Sequence, residues 1–157
     1  MDQVPVIGID LAVTAASELA VATGATIEAS RKVASTPKGL TEGIAKAAKG
    51  RAVAIVVEST AMAWLVAAVA ALRSGVEHRL YRVSGRKSAA LRAFYRSHTK
   101  TDHIDARVLA RMPAVDDSLL SFSLPTPAEL ALKRLVVEPG RFRPPTTGGQ
   151  VERPSPR

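Results

Sequence analysis

Apolar and β-branched residues in Val4–Leu11, bounded by turn formers, predict a first strand. Glu18–Thr23 and Thr26–Val33 follow on either side of Gly24 and predict an antiparallel three-stranded meander. Pro37–Lys49 has helical signals at both ends: Thr36 as cap, Pro37 in the first turn and Gly50 beyond the last. Ala52–Val57 is apolar at every position, the pattern of a strand covered on both faces. An Ala-rich helix is expected over Thr60–Arg73, entered through a Ser59-Thr60 break and stopped by Gly75. Trp64 on it is expected in the core. Val76–Val83 alternates as a strand. Ser84 then caps a basic helix to about Ser97, and a further helix spans Asp102–Arg111, capped by Thr101 and closed by Pro113. This order predicts an α/β fold, a mixed sheet with helices on its faces.

The polar residues that interrupt this pattern carry the chemistry. Asp10 and Glu58 stand at the ends of the two most strand-like runs, where sites gather in sheets of this kind. Asp102 and Asp105 are three residues apart, on one face of their predicted helix. Four carboxylates so placed are a ligand set for a hard divalent cation, Mg2+ or Mn2+, which prefers oxygen. Individually, each acid also fits an ordinary cap or first-turn position. His78, His98 and His103 share no metal-ligand spacing, and Gly8 lies in no glycine-rich phosphate loop.

Charge adds a partner. The chain of 157 residues has a formal net charge of +8, and the surplus is local. Between Arg73 and Arg111 stand Arg73, Arg79, Arg82, Arg86, Lys87, Arg92, Arg96, Lys100, Arg107 and Arg111, against Glu77, Asp102 and Asp105. A basic stretch beside an acidic metal site suits a polyanion bridged to the carboxylates by the cation. Tyr81, Phe94 and Tyr95 are candidates for stacking on bases or for core packing. Glu58 interrupts the most apolar stretch, Ala52–Leu72, so no membrane span is expected. The absence of cysteine and of a signal-peptide pattern agrees with a cytoplasmic protein. Residues 139–157 hold five of the ten prolines and are expected to be a disordered Pro/Arg/Gly-rich tail.

Three runs, Val-Ile-Gly-Ile-Asp-Leu-Ala from Val6, Val-Val-Glu-Ser-Thr-Ala from Val56 and Lys-Thr-Asp-His-Ile-Asp-Ala-Arg-Val-Leu-Ala from Lys100, resemble the N-terminal domain of the DEDD transposases of insertion sequences. The third run is the most specific. The resemblance implies a ribonuclease H-like (Holliday-junction-resolvase-like) domain over 1–123. It implies that Asp10, Glu58, Asp102 and Asp105 are the catalytic acids holding Mg2+. It further implies DNA as substrate, a structured guide RNA and a homo-oligomer. Arg86, Lys87, Arg92 and Lys100 are nucleic-acid contacts expected from charge. Family members carry a second domain with a serine nucleophile behind a long helical segment. Here 124–138 resembles the start of that segment before the tail begins, so the expectation is a truncated transposase, inactive alone. The alternative is a non-catalytic nucleic-acid-binding remnant of a mobile element. An actin-like ATPase half, which shares the fold, would need a glycine-rich turn after Asp10 that is absent.

Overall fold

The structure is a computed structural model describing residues 4–12, 16–59, 62–96, 105–126 and 128–129. It divides into two compact units, Met1–Ser123 and Leu124–Arg157. The first unit is built as β1 (Val6–Asp10), β2 (Ser17–Thr23), β3 (Thr26–Val33), α1 (Pro37–Ala48), β4 (Val53–Glu58), α2 (Ala63–Arg73), β5 (His78–Val83), α3 (Gly85–Arg96), α4 (Asp105–Val115) and β6 (Ser121–Phe122). The six strands form one sheet in the order β3-β2-β1-β4-β5-β6. The meander β1-β2-β3 is antiparallel, while β1, β4 and β5 run parallel. The sheet is therefore mixed, as the pattern predicts.

Strand alternation assigns the two faces. On one, Leu19 and Val33 meet α1 at Gly43, and α2 packs beside α1. On the other, α4 covers β1, β2 and β4. Leu109 and Met112 of α4 join Val6, Ala54, Val56 and Val83 in one buried cluster, with Leu91 of α3 against it. A second cluster is made of small residues, Ala20 and Ala22 of β2 with Ala106 and Ala110 of α4. Beneath that seam lies Gly8. A Cβ placed on Gly8 would stand 2.1 Å from the Ala106 carbonyl oxygen and 2.3 Å from the Ala110 nitrogen. The glycine thus lets a helix backbone touch a strand, a second meaning of glycine inside a strand.

Helix α1 begins as expected: Thr36 Oγ1 accepts from the Gly39 N–H at 3.0 Å, and Pro37 occupies the first turn. It ends at Lys49 and Gly50, both left-handed (φ 52° and 73°). Replacing Thr36 by alanine should cost about 1 kcal/mol, the usual loss for an N-cap hydroxyl. Urea unfolding of Thr36→Ala checks this, and an unchanged midpoint would show the cap to be dispensable.

Three expectations are corrected, and one strand is new. Helix α2 starts at Ala63 with Met62 as its cap and no side-chain bond there, later than the expected Thr60, which lies outside the described residues; Ser59 donates its N–H to the Val83 carbonyl. Pro113 does not close α4, which runs to Val115 because Leu109 and Met112 are buried on either side of the bond the proline forgoes. Trp64 is half-buried rather than core, its ring edge-on to Phe122 at 5.5 Å and under the Arg82 guanidinium at 4.6 Å. Strand β6, two residues pairing Phe122 with Leu80, was not expected at all. In the second unit Thr126 and Glu129 cap one another, the Glu129 carboxylate taking the Thr126 N–H at 2.6 Å. Among the described residues no helix is long and apolar enough to cross a membrane.

Candidate metal and nucleic-acid site

Asp10 and Glu58 are the last residues of two neighbouring parallel strands, and the register Ile9↔Val57 sets them side by side. By alternation both share the face of Gly8 and Val56, which α4 covers. Asp105 is the first residue of α4, brought to the same edge by the close seat of that helix on Gly8. Three of the four candidate acids thus meet at one edge of the sheet. Asp102 and Lys100 lie outside the described residues.

The electrostatics record the convergence. Burial pushes the Asp10 carboxyl above its ordinary range; Asp105 and then Glu58 push it further, Arg92 opposes them, and Glu18 adds a smaller push upward. Glu18 is cross-strand to Asp10 and accepts a hydrogen bond from the Ser30 hydroxyl. Arg92 of α3 reaches into the acids. Its Nη2 donates to Glu58 Oε2 at 3.0 Å, and its Nε lies 3.2 Å from Asp105 Oδ1. Nη2 also donates to Ser88 Oγ at 3.0 Å, and Ser88, buried one turn earlier, donates in turn to the Gly85 carbonyl. Gly85 opens α3 against Glu58: a Cβ there would stand 2.9 Å from Glu58 Oε1, so the carboxylate would have to shift to admit it. As they stand, no three acid or imidazole groups among the described residues lie close enough to hold a metal ion together.

The other basic candidates are placed differently. Arg86 is exposed on α3. Lys87 donates from Nζ to Asp116 Oδ2 at 2.7 Å and to Ser118, and with Ser118 it holds the Asp116 carboxyl down to about 2. Phe94 is exposed beside Tyr95, edge to face at 5.5 Å, and the Arg111 guanidinium covers the Tyr95 ring at 5.0 Å.

Glu18, Ser88, Gly85 and the inward turn of Arg92 escape a reading of the sequence. Glu18 has a signal in the sequence: it is the first residue of the second predicted strand, where antiparallel pairing with the first sets it opposite Asp10. The spacing of Ser88 and Arg92, four apart on one helix face, marks a pair but does not say what it faces.

Among curated proteins none matches this chain. A family model described as a transposase, of the DEDD type named for IS110, matches residues 7–139. That span takes in Asp10, Glu58, Asp105 and the six strands but for Val6, and the mixed sheet with helices on both faces agrees with the family's ribonuclease H-like fold. By the sequence it shares along most of its length and by its fold, the chain belongs to the IS110-type DEDD transposases.

Proposed function

We propose that this chain carries a transposase's metal-dependent DNA-processing centre, with Asp10, Glu58 and Asp105, joined by Asp102 from its sequence position, as the ligands of Mg2+ or Mn2+. The observation that supports this most is the meeting of Asp10, Glu58 and Asp105 at the carboxyl ends of β1 and β4. The donor set suits the group. It is all oxygen, the mutual push on Asp10 marks an excess of negative charge, and a cationic side chain already lies between two of the acids. A bound divalent cation would supply Lewis-acid stabilisation of the charge that develops on a phosphodiester. The chain's own part is to hold the carboxylates at fixed strand ends and to receive the backbone on Arg86, Lys87 and Lys100. DNA is the substrate of this reading, with a structured guide RNA and self-association as the further partners.

The test is Mn2+ titration by calorimetry together with nicking of supercoiled DNA. The intact chain should bind Mn2+, and Glu58→Gln and Asp105→Asn should each lose binding by at least tenfold, since each removes a charged oxygen ligand. Binding that is untouched in both variants would sink the assignment.

One observation favours a second reading. Arg92 pairs with two of the acids, so a cation of the chain's own can balance them in a nucleic-acid-binding domain that does no chemistry. DNA binding that survives alanine at Asp10 and Asp102, with no cleavage under either metal, would establish it.

A further inference from the structure

We propose that Arg92 is a displaceable internal cation: it holds Glu58 and Asp105 together in the metal-free chain and competes with the divalent cation for the same oxygens. The inference rests on the reading of these acids as metal ligands. Three features carry it. First, the guanidinium spans both carboxylates, at 3.0 Å from Glu58 Oε2 and 3.2 Å from Asp105 Oδ1. Those are two of the carboxylates that would hold the cation.

Second, the grip is incomplete on one side. Arg92 Nε and Asp105 Oδ1 are both shut off from water, yet among the described residues neither has a hydrogen-bond partner. The pair is held by charge with poor alignment, and a buried donor and acceptor left so are costly. The Glu58 side is well made, and the residue as a whole is about a quarter exposed. Such a contact can be exchanged for a better one.

Third, the arginine is anchored from behind. Ser88 is 1% exposed and accepts from Arg92 Nη2 while donating to Gly85. The same nitrogen donates to Glu58, so Ser88 steadies the guanidinium head over the acids, and losing Ser88 weakens the competitor's hold. Arginine does not lose its proton at any ordinary pH, so the competition is removed only by movement. A ligand that binds only when a competitor has left has its apparent affinity lowered by that competitor's occupancy.

Calorimetric titration of Mn2+ into the metal-free chain, Arg92→Gln, Ser88→Ala and Glu58→Gln tests this, with melting of each metal-free protein alongside. Arg92→Gln should bind Mn2+ on the order of tenfold more tightly while melting lower without metal. Ser88→Ala should move both readings the same way by less. If Arg92→Gln binds Mn2+ as the parent does, or more weakly, while Glu58→Gln abolishes binding, the metal reading stands and this inference falls. If no form binds Mn2+, the metal reading fails and takes the inference with it. Should Arg92→Gln not fold by circular dichroism, Arg92→Lys decides, because a single ammonium cannot span both acids: tighter Mn2+ binding supports the competition, and unchanged or weaker binding overturns it.

Discussion

Gly8→Val should leave little folded protein, and Gly8→Ala should cost about 3 kcal/mol or more. Overpacking a core commonly costs about 1–3 kcal/mol when side chains can give way. Here the atoms in the way are backbone: a Cβ would stand 2.1 Å from the Ala106 carbonyl oxygen and 2.3 Å from the Ala110 nitrogen. Neither can rotate aside, so α4 must lift from the sheet. Lifting it opens the Ala20, Ala22, Ala106 and Ala110 seam and pulls at Leu109 and Met112, which are buried with Val56 and Val83. A domain typically has about 5–15 kcal/mol in total, so the alanine alone removes a large fraction of it and the bulkier valine more. Asp105 is the first residue of the displaced helix, so any Gly8→Ala protein that folds should also bind Mn2+ less well than the parent. Urea midpoints and a Mn2+ titration measure the two effects. A Gly8→Ala chain as stable as the parent would mean that the helix seat is slack.

That glycine also shows where the sequence stops being legible. The strands declare themselves through local chemistry, and Thr26–Val33 is read to its ends because Gly24 precedes it and alternation runs through it. Asp10 and Glu58 are legible as site residues because each ends an apolar run, and a charge at such a place needs a reason. What lies beyond is set by non-local packing. A glycine in a strand announces a close approach but not by what, and only the docking of α4 answers. Pro113 reads as a stop, yet the buried side chains of Leu109 and Met112 outweigh one forgone hydrogen bond. Arg92 reads as one charge among ten in a basic stretch. Its direction depends on α3 crossing above Glu58 and on a buried Ser88 one turn earlier, neither of which leaves a periodic trace. The two-residue β6 is too short to alternate.

Asp10→Asn should stabilise the metal-free chain at neutral pH and abolish its stabilisation by metal. The carboxyl of Asp10 is pushed above its ordinary value of 3.8 by burial first, then by Asp105 and Glu58. A group with a raised folded-state value binds its proton more tightly folded than unfolded. Below 3.8 the acid is protonated in both states and costs nothing. As pH rises through that value and on through the raised one, the folded state loses stability relative to the unfolded chain, and the penalty is complete above both. Asparagine removes the charge at nearly constant shape, so the variant should melt higher than the parent at pH 7 and lose that part of the pH dependence. Metal reverses the order. A ligand at a hundredfold its Kd stabilises by about 2.7 kcal/mol, which the parent should gain in Mn2+ and the variant should not. The same raised value makes Mn2+ binding by the parent weaken as pH falls through it, because the proton and the cation want the same oxygen. Melting curves of both proteins with and without Mn2+ across pH 4–8 separate the contributions. Equal gains from Mn2+ would remove Asp10 from the ligand set. A metal-free variant that melts lower would show the Asp10 carboxylate making contacts worth more than its burial and repulsion cost, and the acids would then be a structural cluster instead of a site kept under strain for a cation.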